Sequence, residues 1–149
     1  MYSSILIATD GSELAENALE QGLELARRLG SSVTVVTVIE PVAVVGAGYS
    51  AAAGLGYSPV PELIEAQREQ AMITLEAAQA KARDAGMTVR IKLITEAYAA
   101  EGIVAAAEEI GADLIVMGSH GRRGLGRLLV GSQTSNVLAH TKIPVLVTR

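Results

Sequence analysis

Four short, almost unbroken apolar runs punctuate the chain: Ser4 to Thr9 (SILIAT), Val33 to Ile39 (VTVVTVI), Asp113 to Met117 (DLIVM) and Pro144 to Thr148 (PVLVT). Runs of this length and continuity suit strands buried on both faces, and β-branched residues dominate the second. The segments between them carry helical spacing. Asp10-Gly11-Ser12 makes a turn that ends in an N-cap residue, after which Leu14, Ala18, Leu25 and Leu29 mark one helix face as far as Gly30. Pro41 ends the second strand. From Pro61, Leu63, Ile64, Ala71, Leu75 and Ala78 recur at helical spacing until Gly86. Met87 to Ile94 alternates Val89, Ile91 and Leu93 with Thr88, Arg90 and Lys92, which predicts an edge strand with one wet face. A third helix is expected over Ala99 to Ile110, closed by Gly111, and a last one from near Ser132.

The resulting order, βαβαβαβαβ, implies a parallel sheet with helices on both faces, because each parallel connection needs a right-handed crossover. Ligands of such sheets sit at the carboxyl ends of the strands, where the winding direction reverses. The segments at those ends are Thr9-Asp10-Gly11, Val38 to Pro41, and the loop that starts at Gly118. Residues 43 to 60 break the alternation with four glycines, two tyrosines and no charge, and read as a long flexible loop or lid.

At 149 residues the chain suits one domain, large enough to bury roughly two thirds of its unfolded surface without covalent staples. The absence of cysteine excludes disulfides and thiolate metal sites. Met1 leads straight into YSSILIATD without a basic n-region or a long apolar h-region, and no apolar run approaches the ~18 residues of a membrane span. A soluble cytoplasmic protein with no membrane partner is therefore expected.

Charge is distributed unevenly. All 16 acidic residues lie at or before Asp113, whereas Arg122, Arg123, Arg127, Lys142 and Arg149 follow it, so an acidic chain of net charge −4 ends in a basic segment. That pattern fits an anionic ligand handled locally. A nucleic-acid surface would need a basic patch on a basic domain, and none is expected.

The basic segment coincides with VMGSHGRRGLGRLLVGSQT, Val116 to Thr134, which holds five glycines and three arginines. Glycine lets a backbone turn tightly and approach a ligand, and helix N-termini expose unpaired N–H groups. Two better-known phosphate motifs fail here. Gly121 and Gly126 have Walker spacing, but Arg127 and Leu128 stand where Lys and Ser or Thr are required. The dinucleotide pattern fails because Leu129 follows Gly124-Leu125-Gly126 at the third-glycine position. What remains is Gly118-x2-Gly121-x9-Gly131-Ser132. Gly118 ends a strand, the turn exposes the N–H groups of Ser119 to Arg122, and Ser132 caps a helix whose free amides, at Gln133 and Thr134, face the same cavity if the loop folds back. Four or five charge-assisted bonds at ~1.5 to 3 kcal/mol each would offset an association cost of ~4 to 15 kcal/mol, enough for micromolar binding of a polyphosphate.

On these residues the chain resembles the universal stress protein family, and within it the nucleotide-binding class with the signature G-x2-G-x9-G-[ST]. ILIATDGSELAENAL is similar to the family's opening strand and helix, DLIVMGSHGRRGL to its fourth strand and phosphate loop, and IPVLVTR to its closing strand. The fold expected is a single doubly wound α/β domain, a flavodoxin-like or Rossmann-like five-stranded parallel sheet in the order 3-2-1-4-5. The resemblance implies ATP, or ADP or AMP, as ligand, with Mg or Mn possible beside the phosphates. It implies Asp10 near the ribose or adenine with Ala8 and Thr9 beside it, and Val38 offering backbone atoms to the adenine. Met117 and Gly118 would floor the pocket, Ser119, His120, Gly121, Arg122 and Arg123 would wrap the phosphates, and Gly131, Ser132, Gln133 and Thr134 would close them. It also implies a homodimer through the apolar edge strand Pro144 to Thr148. The chain departs from the family at Tyr98 to Gly102, which lacks the usual Gly-Pro-like helix entry, and in the glycine-rich segment 43 to 60.

Simpler roles compete with these. Asp10 before Gly-Ser suits a turn on local hydrogen bonding alone. His120 has no acid near it in sequence, and His140 lies 20 residues away. No metal-hydrolase, serine-hydrolase or glycosidase constellation is visible, so no catalytic residue is assigned. A nucleotide-dependent stress-response module is the leading expectation. A slow ATP hydrolase and a nucleotide-free dimeric interaction module are the alternatives.

Overall fold

The computed structural model describes residues 1–41, 60–119 and 131–149. The elements run β1 (Ser4–Ala8), α1 (Glu13–Leu29), β2 (Ser32–Ile39), α2 (Val60–Asp84), β3 (Arg90–Thr95), α3 (Ala99–Glu109), β4 (Leu114–Gly118), α4 (Ser132–His140) and β5 (Val145–Thr148). The expected loop over 43 to 60 lies outside the described residues, apart from Val60 at the start of α2.

All strand pairs are parallel and the order is β3-β2-β1-β4-β5. From β1 the chain steps outward to β2 and β3, then crosses back to place β4 and β5 on the other side of β1. Right-handed crossovers in opposite directions put their helices on opposite faces. Accordingly Ile5, Ile7, Val33, Val35 and Val116 pack with Ala18, Leu19 and Leu23 of α1 and Leu75, Ala78 and Ala82 of α2. Leu6, Ala8, Val36, Ile115 and Met117 pack with Ala100, Ile103 and Ala107 of α3 and Val137 of α4. Burial on both faces is why β1 and β4 need apolar residues at successive positions.

The inward face of α1 is built from smaller residues than its leucine spacing suggests. Ala15, Ala18, Leu19, Gly22, Leu23 and Ala26 are buried, whereas Leu29 is exposed and Leu25 only packs at the margin. Close approach is the reason: a Cβ at Gly22 would stand 2.6 Å from Cδ1 of Ile7. The third strand also starts later than Met87. The Met87 N–H donates to the carbonyl of Ala82 and that of Gly86 to Arg83, so these donors close α2, and ladder pairing begins at Arg90 opposite Thr34. At the opposite edge, β5 pairs only with β4 in the sheet.

The carboxyl ends of β1 and β4 lie side by side where the winding reverses. That juxtaposition positions the crevice.

Candidate functional site

β1 runs into Thr9 and Asp10 at the reversal point. The Thr9 N–H continues the ladder to the Val36 carbonyl at 2.9 Å, and the buried Thr37 hydroxyl donates to the Thr9 carbonyl at 2.9 Å. Asp10 Oδ1 accepts from the Ser12 N–H at 2.9 Å, and Ser12 Oγ accepts from the Ala15 N–H at 3.3 Å, which caps α1. Asp10 thus makes the turn its type favours and also stands at the crevice.

β4 ends at Gly118 against the first turn of α1. A Cβ there would meet the Leu14 carbonyl oxygen at 3.0 Å and the Ala15 nitrogen at 3.3 Å, so any larger residue would press on the α1 backbone. Ser119 is buried, donates its N–H to the Thr148 carbonyl at 2.8 Å, and accepts from the Gly131 N–H at 2.7 Å. The buried Thr134 hydroxyl reaches back to the Gly118 and Ser119 carbonyls at 3.0 and 3.2 Å. These bonds bring the two ends of the glycine-rich segment together. His120, Gly121, Arg122 and Arg123 lie outside the described residues.

The helix that follows differs in one detail from its expected start. Gly131 is the N-cap of α4, and Ser132 is the first helical residue rather than the cap. Glycine has no side chain to accept from the first turn, and α4 accordingly has no side-chain cap. Its opening N–H groups therefore remain the positive end of a helix beside Ser119.

Between these elements lies a crevice of about 550 Å³, counting the part open to solvent. Ala8, Thr9, Asp10, Val38, Met117, Gly118, Gln133 and Thr134 all line it. Ser119, Gly131 and Ser132 support its rim and are not among the described lining residues. Four further wall residues carry no polar signature: Ala15, Val36, Ala99 and Ile103. Val36 could have been found from Val38, two residues on and on the same strand face. Ala99 and Ile103 share a helix face by their spacing of four.

Glu40 falls within the Val38 to Pro41 segment expected at a strand end, but sequence alone assigns it no role of its own. Half-buried just after β2, it accepts through Oε1 from the Ala99 N–H and from Nε2 of Gln133, each at 3.3 Å. The arrangement has two chemical ends, an apolar slot between β2 and α3 and a helix N-terminus beside β4. Among the described residues no cluster of three or more His, Asp or Glu side chains is placed to hold a metal, and no helix is long and apolar enough to cross a membrane.

A parallel sheet wound in both directions, with a crevice at its switch point, defines a doubly wound α/β protein of flavodoxin-like architecture. The chain belongs to the universal stress protein family, whose model matches residues 1–149. A universal stress protein of Thermus aquaticus is 34% identical over 149 residues, covering all of both chains. Among solved structures, a universal stress protein of Methanocaldococcus jannaschii matches with TM-score 0.79 and 32% identity, covering 99% of this chain and 96% of that one. One from Archaeoglobus fulgidus in complex with dAMP matches with TM-score 0.66 and 25% identity, covering 99% and 98%.

Proposed function

We propose that residues 1–149 form a single adenine-nucleotide-binding domain, with ATP, or ADP or AMP in its place, acting as a cytoplasmic nucleotide-dependent stress-response module. The observation that carries this reading is the pairing of an apolar slot with an uncapped helix N-terminus in one crevice. A planar base suits the slot between Val36, Val38, Ala99 and Ile103, and phosphates suit helix amides. The family and the dAMP complex of the Archaeoglobus fulgidus relative support the same ligand class.

In this proposal Ala8, Thr9 and Asp10 flank the ribose, Val38 offers backbone atoms to the base, and Met117 and Gly118 floor the pocket. Ser119 and the first-turn amides of α4 at Ser132, Gln133 and Thr134, with Gly131 before them, hold phosphate oxygens. His120, Gly121, Arg122 and Arg123 complete the phosphate loop by sequence. Any Mg or Mn would then ride on the phosphates. Two copies would join through β5, whose Leu146 is exposed at 36% on the sheet edge.

Isothermal titration of nucleotide-stripped protein with ATP and AMP tests the proposal. Binding in the micromolar range is expected; no heat from either at millimolar concentration would refute it.

A further inference from the structure

Glu40 and Gln133 lie 93 residues apart in sequence and are joined by a hydrogen bond, with Gln133 a wall residue of the crevice. One of the two donors to Glu40 is the N–H of Ala99, the first residue of α3, whose own N-cap residue Tyr98 makes no side-chain cap. The other is the side-chain amide of Gln133 in the first turn of α4. Ala99 and Gln133 both line the crevice.

The second bond fixes more than position. A carboxylate only accepts, so Gln133 must turn its NH₂ toward Glu40; the reverse rotamer would set two acceptors face to face. The other end of the amide is then an oxygen, and no donor pairs with Oε1 among the described residues. Among the wall residues, Val36, Val38, Ala99, Ile103 and Met117 have no polar side-chain hydrogens, and the Thr134 hydroxyl is given to the Gly118 and Ser119 carbonyls. The crevice therefore presents an acceptor of locked orientation, and its complement is a ligand N–H.

We propose that Glu40 and Gln133 together make the site selective for a 6-aminopurine over a 6-oxopurine, the Gln133 oxygen accepting from the exocyclic amine. A 6-oxopurine would place an oxygen against that oxygen, and Glu40 prevents the amide from turning to accommodate it. Gln133 touches the ligand, and Glu40 is the positioning residue. This inference rests on the adenine-nucleotide reading above.

Titration calorimetry with AMP, IMP and 2′-deoxy-AMP, on the wild type, Glu40→Ala and Gln133→Leu, tests it. The wild type should bind AMP about tenfold more tightly than IMP, the scale of one hydrogen bond replaced by an acceptor–acceptor contact. Gln133→Leu should bring the two nucleotides within about twofold by weakening AMP. Glu40→Ala should narrow the ratio the other way, by strengthening IMP, because with no acceptor at 40 the Gln133 amide is free to turn its NH₂ toward a 6-oxopurine. A general packing defect would weaken both nucleotides together and leave the ratio in place. Equal binding of AMP and IMP by the wild type, or an unchanged ratio in either variant, overturns the inference while leaving nucleotide binding intact. A penalty for 2′-deoxy-AMP that Gln133→Leu removes assigns the oxygen to the sugar and also overturns it. Failure of all three nucleotides to bind removes the adenine-nucleotide reading and the inference with it.

Discussion

Replacing Gly118 with alanine tests the join between β4 and α1 that forms one wall of the crevice. The added Cβ would stand 3.0 Å from the Leu14 carbonyl oxygen, 3.1 Å from its carbon and 3.3 Å from the Ala15 nitrogen. Comfortable carbon contacts begin near ~3.5 Å, so each distance is short by a few tenths of an ångström. All three neighbours are backbone atoms of the same helical region, and no side-chain rotation relieves the overlap. Overpacking of this kind costs about 1–3 kcal/mol, and the reduced entropy of the unfolded alanine chain returns about 0.4–1 kcal/mol. A net loss of about 1–2 kcal/mol should lower Tm by about 2–8 °C for a chain of this size. Ala15 and Gly118 both line the crevice, so the displacement should also weaken ATP binding, by about fivefold if ~1 kcal/mol of it reaches the ligand. Urea denaturation and titration calorimetry read the two effects. Gly22→Ala is the control. Its Cβ would stand closer, 2.6 Å from Ile7 Cδ1, but that atom ends a side chain that can rotate, and Gly22 does not line the crevice. It should reduce stability and leave affinity unchanged. A Gly118→Ala protein with wild-type Tm and wild-type affinity would refute the steric account.

Thr134→Val keeps the shape of a fully buried side chain and removes the hydroxyl that joins it to Gly118 and Ser119; it should cost about 1–3 kcal/mol in urea unfolding, and Thr134→Ser should preserve more of the nucleotide affinity. Equal affinities for the valine and serine variants would remove Thr134 from the pinning of the loop ends. Asp113 accepts from the Ser3 N–H, the Ser3 hydroxyl at 2.8 Å and the Ser4 N–H at 3.0 Å, and these bonds hold its carboxyl below the ordinary value. A lowered folded-state pKa contributes stability above the unfolded value of about 3.9 and loses it as pH falls through the folded value. The stability gap between wild type and Asp113→Asn should therefore be full at pH 7 and shrink below about pH 4; a gap independent of pH contradicts this. If β5 joins two copies, Leu146→Arg should yield monomers by light scattering, and an unchanged dimer would rule out that edge.

The strands were legible because each needs only its own residues. Ile5, Leu6 and Ile7, or Leu114, Ile115 and Val116, are apolar at consecutive positions, and burial on both faces leaves few other uses for such a run. The positions of Gly118, Gly131 and Thr134 at a strand end and a helix start were legible because such ends are marked locally. The wall of the crevice was not. Ala99 and Ile103 look like ordinary helix residues until the crossover sets α3 over β2, and the small inward face of α1 depends on how closely it approaches Ile7. Glu40 lay in a candidate segment, but its role could not be read because its partners come from α3 and α4, 59 and 93 residues away.

Sequence alone determined the alternation of elements, the parallel sheet and the placing of a glycine-rich segment after a strand end, since periodicity and turn chemistry act over a few residues. Only the tertiary structure decided which apolar residues line the crevice, that Gly131 rather than Ser132 caps α4, and that Glu40 bonds to Gln133. Those outcomes depend on distances between elements that the order of residues along one element does not contain.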